Sequence, residues 1–291
     1  VMKLKDFRNE KRYTQQKLAD LLNVNQQTVA RWEKGQTEPN IKQLRDLAMI
    51  FETSVDAILG KEKPERLFQN FINDNSGDAN YFWGHIGINL YGVNKTKWYP
   101  ITESEMNRFY GRLANQWFVF ETLNNRYVAL NQKNTRFITF SHDNADPPQT
   151  PPKQGDFALT WKEDMQSLEF YRGLDEYGVD GFQNSDTSKA YQEIINDYIK
   201  ENKLNPDDII EFTLYTKVYD RQGNVLDGVY ADEDSIGSTY VNLEDVEENE
   251  IITILSDGNY YSFNESDIAL IESPRLEVKE HIDNYLKQLE K

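Results

Sequence analysis

Four polar side chains near the start of the chain, Gln26, Gln27, Thr28 and Arg31, have the chemistry needed to read nucleic-acid bases. A glutamine amide can form paired hydrogen bonds with N6 and N7 of adenine, and threonine and arginine can bond to base edges or phosphates. The same four residues could instead form an ordinary polar helix face. The surrounding pattern favours the first interpretation, and we predict that the four side chains read bases in duplex DNA.

A second set of polar residues lies at the predicted helix starts and loops on either side of these four. Side chains in such positions contact phosphates and fix the register of a protein on the duplex without reading sequence. Taken one at a time, each also fits a plain surface residue. The candidates for contact with the DNA backbone are Gln15, Gln16, Asn25, Lys34, Gln36, Thr37 and Asn40.

Two short helices joined by a tight turn are predicted to position these side chains. Thr14 is a suitable N-cap for the first helix, because its hydroxyl can accept a hydrogen bond from an unpaired N–H of the first turn. The turn is expected at Asn23-Val24, after which Asn25 caps the second helix. Gly35 lies where a left-handed residue commonly ends a helix. Helical spacing predicts one shared core made of Leu18, Ala19, Leu22, Val29 and Trp32.

The stretch from Leu4 to Gly60 resembles the Cro/C1-type (XRE) family of helix-turn-helix DNA-binding domains. The resemblance covers roughly a fifth of the chain. It rests on Gln15, Leu18-Ala19, Val24, Val29, Trp32-Glu33-Lys34-Gly35, Glu38-Pro39, Leu44, Leu47-Ala48 and Val55.

Within that family the stretch is most similar to the lambdoid phage repressors, which carry a glutamine pair at the start of the recognition helix. The resemblance implies that Gln26 and Gln27 read bases in the major groove and that Gln15 contacts the phosphate backbone. Trp32 departs from the family pattern, since it is bulkier than the usual aliphatic residue there. This departure concerns the packing of the core.

Three further helices complete a predicted all-α domain over residues 2–60. The first is expected from Leu4 to Lys11, and the last from Val55 to Leu59 with Ser54 as its cap. Asn40 is a suitable cap for the fourth helix. An apolar stripe at helical spacing in that helix consists of Ile41, Leu44, Leu47, Ala48 and Phe51.

The charge of the chain is unevenly distributed. The net charge is −17, yet residues 1–60 hold 10 Lys or Arg against 8 Asp or Glu, so the excess acid lies beyond the predicted DNA-binding domain. Affinity for DNA depends on local phosphate contacts, and the acidic remainder therefore does not exclude DNA binding. It should oppose non-specific binding by long-range repulsion.

Other features of the composition point to a cytoplasmic protein. The sequence contains no cysteine, which excludes disulfides and thiolate metal sites and fits a reducing compartment. No apolar run approaches the ~20 residues needed to span a bilayer. Met2 leads directly into the first predicted helix without a secretory signal pattern. We expect no membrane partner.

The remainder of the chain is predicted to be a linker, residues 61–79, and an α+β region, residues 80–291, that is rich in antiparallel strands. This region could consist of two subdomains, 80–140 and 157–291, joined by a proline-rich connector. Alternating apolar residues predict strands at 86–91, 117–121, 127–130, 137–140, 157–161, 168–171, 209–219, 225–230, 251–255, 260–263 and 268–271, the last three forming a final small sheet. Helices are expected at 102–113, 188–202 and from Pro274 onward, whereas the acid-rich residues 232–250 are expected to be mostly solvated loop.

Sequence motifs of several enzyme classes are absent. No phosphate-binding GxxxxGK[ST] motif, HExxH motif or His-x-His motif occurs, and no Ala-Gly dipeptide is present for a self-cleaving repressor. We therefore expect no catalytic residues, no metal site and no cofactor. A group of aromatic residues remains open as the lining of a small-ligand pocket, although core packing is the simpler interpretation: Tyr81, Phe82, Trp83, Trp98 and Tyr99.

The sequence as a whole favours a non-enzymatic transcriptional regulator, a repressor of phage or mobile-element type. We expect it to bind a palindromic operator in double-stranded DNA as a homodimer, since one such domain alone reads too little sequence. The acidic second region would provide dimerisation and control by an anti-repressor protein or a small ligand. The alternatives are an antitoxin-type autoregulator that neutralises a partner toxin, and an enzyme tethered to DNA by its helix-turn-helix.

Overall fold

The computed structural model describes residues 2–51, 53–61, 82–93, 96–142, 170–171, 173–174, 189–230, 233–243, 250–256 and 258–289. By internal contacts the chain divides into two compact units. The first unit comprises Val1–Ser76 and Gln166–Ile210, and the second comprises Gly77–Met165 and Glu211–Lys291. The predicted linker and the proline-rich connector lie almost entirely outside the described residues.

The fold class predicted from the sequence is confirmed: a helical N-terminal region precedes a larger region of antiparallel strands and helices. Five short helices form the first region. Their bounds are α1 Leu4–Glu10, α2 Gln15–Leu21, α3 Gln26–Glu33, α4 Ile41–Ile50 and α5 Val55–Ile58.

Side-chain caps begin four of these helices. Thr14, Asn25, Asn40 and Ser54 each accept a hydrogen bond from the backbone N–H three residues later, as expected for N-caps. The predicted core is present, with Leu18, Ala19, Val29, Leu47 and Ala48 fully buried. Trp32 is only 3% exposed, so the core accommodates the bulky residue. The placement of Ile41 in the apolar stripe is wrong: at the first position of α4 its side chain is 78% exposed.

The second region is built from short antiparallel strands. In chain order its elements are β1 Phe82–Leu90, β2 Thr96–Thr102, α6 Glu103–Gly111, β3 Trp117–Glu121, β4 Arg126–Asn131, β5 Thr135–His142, α7 Lys189–Asn202, α8 Pro206–Leu214, β6 Tyr215–Asp220, β7 Val225–Tyr230, α9 Glu233–Asn242, β8 Ile251–Ser256, β9 Asn259–Asn264, β10 Ile268–Pro274 and α10 Arg275–Leu289. Of these, α7 belongs to the first unit.

Within the described residues these strands form three antiparallel sheets. The strand orders are β2-β1-β5, β3-β4-β10-β6-β7 and β8-β9. The prediction that 268–271 joins the two preceding strands is wrong, because β10 lies at the centre of the five-stranded sheet, between β4 and β6. All seven residues of β10 are buried, which fits a central strand and leaves only the β8–β9 hairpin as the third sheet.

Two predictions for residues 200–243 are also wrong. A strand was expected at 209–219, but residues 206–214 form helix α8 and only 215–219 are strand, as part of β6. Asn205 caps this helix by exchanging hydrogen bonds with Asp208, at 2.8 and 3.0 Å, and Pro206 occupies the first helical position, where proline is favoured. Residues 233–242, expected as loop, form α9. Ile236, Tyr240 and Leu243 are buried along one side of it, at helical spacing.

The remaining strand predictions have different outcomes. The one for residues 168–171 is wrong where it can be checked, because Phe170 and Tyr171 are helical and 1% exposed. The one for residues 157–161 lies outside the described part of the chain. The other predicted strands, and the helices at 102–113, 188–202 and after Pro274, are present with shifted ends.

Candidate nucleic-acid interface

The outer face of α3 carries the four residues predicted to read bases. Gln26, Gln27 and Arg31 are exposed, while Thr28 is half-buried. The inner face is fixed by Val29, 0% exposed, and Trp32, 3% exposed. Within the described residues, Gln26, Gln27 and Arg31 form no side-chain hydrogen bond or ion pair. Their side chains are therefore available to an external partner.

The start of α3 is closed by its own side chains. Asn25 Oδ1 accepts hydrogen bonds from the backbone N–H of Thr28 and from the Thr28 hydroxyl, both at 2.8 Å. Two residues predicted to contact DNA thus also stabilise the helix that presents the glutamine pair. Asn25 is exposed, and Thr28 Oγ can still accept a hydrogen bond while it donates to Asn25.

The C-terminal end of α3 is bound to α1 and α2 through Glu33. Arg8 Nε donates to Glu33 Oε1 at 2.5 Å, and Gln15 Nε2 donates to Glu33 Oε2 at 2.8 Å. Arg8 Nη1 also donates to the carbonyl of Tyr13 at 2.7 Å. Burial by itself would raise the pKa of the Glu33 carboxyl, but the hydrogen bonds from Arg8 and Gln15 outweigh it and the pKa is lowered. Glu33 is therefore ionised at neutral pH and holds three helices together.

Gln15, predicted to contact phosphate, has this structural partner as well. Its amide carries two N–H groups and only one is needed for Glu33, so the other can donate to a phosphate oxygen. Gln16 is exposed on the same helix, and its Nε2 donates to Asp20 Oδ1 at 2.7 Å, one turn later. As with Gln15, the second N–H of the Gln16 amide can still donate to a phosphate oxygen.

The remaining predicted backbone contacts lie in the segment that joins α3 to α4. Gly35 has a φ of +67°, and the following N–H, that of Gln36, donates to the carbonyl of Arg31 at 2.9 Å, which reverses the chain direction. Asn40 forms a capping box with Gln43, at 2.9 and 2.8 Å. Five exposed side chains lie along the segment. Four of them are predicted DNA contacts, Lys34, Gln36, Thr37 and Asn40, and the fifth is the acidic Glu38.

These features together make a helix-turn-helix with an exposed polar outer face. Asn23 supplies the left-handed residue of the turn, with φ +53°, a conformation that asparagine adopts more readily than most residues. The outer face of α3, the start of α2 and the α3–α4 segment offer amide, hydroxyl, guanidinium and ammonium donors. This is the set of groups that base edges and phosphates require.

The second region contains a buried charged cluster that the sequence did not indicate. Lys97 Nζ lies 3.0 Å from Glu272 Oε2 and 2.6 Å from the Tyr219 hydroxyl, and the hydroxyls of Tyr99 and Tyr219 donate to Glu272. Burial by itself would raise the pKa of Glu272, but the charges of Lys97 and Arg126 lower it to about 2. In β2 every residue from Lys97 to Ile101 is buried, and Lys97 is paired with Glu272 of the five-stranded sheet.

The other residues of the second region that were considered as a candidate site pack mainly in its interior. Of the aromatic group considered as a pocket lining, Phe82, Trp98 and Tyr99 are buried and Trp83 is half-buried, while Tyr81 lies outside the described residues. In the portion of the chain that is described, no group of three or more potential metal ligands occurs. Among the helices described, none has both the length and the apolar character to cross a bilayer.

Comparison with known proteins is confined to this N-terminal part. A family described as helix-turn-helix matches residues 4–58, the span from α1 to α5. The uncharacterized HTH-type transcriptional regulator YqaE of Bacillus subtilis is 36% identical over 67 residues, 23% of this chain and 58% of that protein. The HTH-type transcriptional regulator AnsR of the same organism is 36% identical over 64 residues, 22% of this chain and 55% of that protein.

A third relative is covered more fully. The SPbeta prophage-derived uncharacterized HTH-type transcriptional regulator YonR of Bacillus subtilis is 33% identical over 72 residues, 25% of this chain and 67% of that protein. The chain spans little more than half the length of the first two relatives. No solved structure matches the chain.

Proposed function

Since the chain belongs, through residues 4–58, to the XRE-type helix-turn-helix family of DNA-binding transcriptional regulators, we propose that it is a repressor that binds a palindromic operator as a dimer. The single observation that carries the proposal is the outer face of α3, where Gln26, Gln27 and Arg31 are exposed and without a described side-chain partner. Inserted in the major groove, the first turn of α3 would bring the glutamine amides to base edges.

In the proposed complex some side chains would read bases and others would position the protein on the duplex. The glutamine pair would distinguish base pairs, whereas Gln15, Lys34 and the rest of the α3–α4 segment would hold phosphates on either side of the groove. One domain reads only a few base pairs, so two copies would bind half-sites about one helical turn apart, roughly 34 Å. The second region, with some 200 residues and no catalytic motif, would support dimerisation and control by a protein or a small ligand.

Selection of duplexes from a random pool at a stated salt concentration tests this function. We expect the full chain to enrich an inverted repeat. The chain with both Gln26→Ala and Gln27→Ala should lose the preference at one or two positions of each half-site. Gln222→Ala, which removes an exposed glutamine from the β6–β7 turn, is the matched control and should select the same sequence as the unaltered chain. No enrichment by the unaltered chain would contradict the proposal.

Dimerisation and the direction of regulation need their own measurements. Light scattering with and without the selected duplex should give a mass of two chains per inverted repeat, and one chain per duplex would exclude the dimer. In a reporter assay the protein should lower transcription when its site overlaps a promoter. Increased transcription from the same arrangement would make it an activator.

Two further classes of function remain as alternatives. An antitoxin-type autoregulator would bind its own operon and a neighbouring toxin, so co-expression with the product of an adjacent small gene would reveal a stable complex. An enzyme tethered to DNA is the third class. The buried position of Lys97 and Glu272 argues against this charged cluster acting on a substrate.

A further inference from the structure

Helix α4 is buried on two sides. Leu44, Leu47, Ala48 and Phe51 face the core of the five helices. Asp46 and Met49 lie roughly on the opposite side of the helix, given about 100° of rotation per residue, and they are not part of that core. They are nevertheless only 8% and 3% exposed. A helix that packed on one face alone would leave both side chains in water.

Helix α4 also contacts α7, which follows more than a hundred residues later in the sequence. Both helices belong to the first unit. Ile195 and Tyr198 are 0% and 7% exposed, three positions apart on one face of α7. The ring of Tyr198 packs edge-on against Phe170, with centroids 4.8 Å apart, so α7 is itself supported by residues of the same chain segment.

The position of α4 matters for the DNA interface because of what precedes it. Its capping residue, Asn40, is the last residue of the α3–α4 segment and one of the predicted phosphate contacts. The segment begins at Lys34, directly after α3, and only six residues, 34 to 39, separate α3 from that cap. A shift of α4 would therefore displace Lys34, Gln36 and Thr37 relative to the glutamine pair.

We propose that α7 is a positioning element of the DNA-binding unit, which holds α4, and with it the phosphate-contacting segment, in the arrangement that binds operator. This inference rests on the proposed DNA-binding function and extends it. The chain leaves the first unit at residue 76 and returns at residue 166. Affinity for DNA thereby depends on a helix that the chain reaches only after passing through the second unit, and a partner that displaces α7 would regulate binding.

The test uses the full chain with Tyr198→Ala, with Tyr198→Phe as the conservative variant and Asn196→Ala as the control at an exposed position of the same helix. Fluorescence anisotropy with the selected duplex gives the dissociation constant, and hydrogen exchange followed by mass spectrometry reports on α4. We expect Tyr198→Ala to weaken binding roughly 3- to 30-fold and to speed exchange in α4, with β10 unchanged. Tyr198→Phe and Asn196→Ala should match the unaltered chain.

Three outcomes would overturn the inference. Unchanged exchange in α4 would mean that α7 does not support it. Faster exchange in α4 with an unchanged dissociation constant would mean that α7 packs on α4 without influencing DNA binding. Faster exchange in β10 as well would indicate general unfolding. Failure of the unaltered chain to bind any duplex is distinct from these, because it refutes the DNA-binding function first and this inference with it.

Discussion

Single residues at the interface combine structural and binding roles to different degrees. Asn25, Thr28 and Gln15 are committed to hydrogen bonds within the first unit, whereas Gln26, Gln27 and Lys34 have none in the described structure. Loss of the first three would weaken the helices as well as the contact with DNA; a cap alone is worth ~1 kcal/mol. The second three give cleaner tests of recognition.

Gln27→Ala and Lys34→Ala should therefore alter DNA binding in different ways. The glutamine variant should lose ~1–3 kcal/mol on the preferred sequence and relax the preference at one position, with the salt dependence unchanged. The lysine variant should weaken binding to all sequences alike and lower the slope of log K against log salt by about 1. Titrations at four salt concentrations, with preferred and altered duplexes, separate the two effects. The same loss on every duplex in the glutamine variant would contradict its assignment to base reading.

The buried pair in the second region allows a test of stability. Glu272→Gln leaves the Lys97 ammonium without its carboxylate, so we expect a loss of about 3–5 kcal/mol in the free energy of unfolding. The double variant Lys97→Met and Glu272→Gln should recover much of that loss, because no buried charge remains unpaired. Urea denaturation followed by tryptophan fluorescence measures both.

The pH dependence of the same pair has a defined sign. The pKa of Glu272 is lowered in the folded protein to about 2, so its contribution to stability is complete above the ordinary value of 4.5 and is lost as the pH falls from there toward 2. Glu272→Gln should flatten the acid side of the stability profile over this range. A profile with the same slope in both proteins would show that other carboxylates account for the acid sensitivity.

Close contacts between elements make the substitution of some glycines costly, whereas other glycines can be substituted without a clash. In α9, a Cβ atom added to Gly237 would lie 2.6 Å from the backbone carbonyl of His281 in α10, so the two helices approach as closely as they do only because this residue has no side chain. Gly237→Ala should cost about 1–3 kcal/mol from this overlap, despite the gain in helix propensity.

Gly111, the last residue of α6, is the matched control. Nothing lies within 4 Å of the position that its Cβ would occupy, and Gly111→Ala should stabilise the protein by a few tenths to about 1 kcal/mol. Thermal unfolding of both variants should shift the midpoint in opposite directions. A higher midpoint for Gly237→Ala would show that α9 and α10 can separate without loss.

The same elements show what the sequence could and could not specify. Helix α3 was predictable because its cap, its apolar side and its exposed polar side lie within ten residues. Helix α8 was not, because Asn205-Pro206 was interpreted only as the end of the preceding helix. In addition, seven of the eleven residues from Ile209 to Tyr219 are apolar, which favoured a strand. The acidic residues around α9 favoured a solvated loop, so its three buried residues were not predicted. The central position of β10 depends on its pairing with β4 and β6, which are both distant in sequence.

The candidate site was more accessible to sequence reasoning than the fold around it. The side chains on the outer face of α3 belong to one local motif, so their exposure follows from helical periodicity. Three contacts were not predicted because they join residues that are separated in sequence. They are the hydrogen bond from Gln15 to Glu33, the Lys97–Glu272 pair and the contact between α7 and α4. Periodicity carries no information about such pairs.

Taken as a whole, the molecule keeps its charges apart along the chain. The first 60 residues have a small positive balance while the rest carries the acid. Repulsion from the acid should keep affinity for random DNA low at low salt and should fade as the Debye length falls from ~10 Å at 0.1 M to ~3 Å at 1 M.

The division of the first unit into two chain segments also sets an order of events during synthesis. At 5–20 residues per second, a ribosome needs roughly 7–30 s to advance from the end of α5 to the end of α7. During that interval the nascent chain has the glutamine-bearing helix α3 but lacks α7, the helix proposed to hold α4. A newly made copy would then bind its operator with full affinity only after α7 has been synthesised.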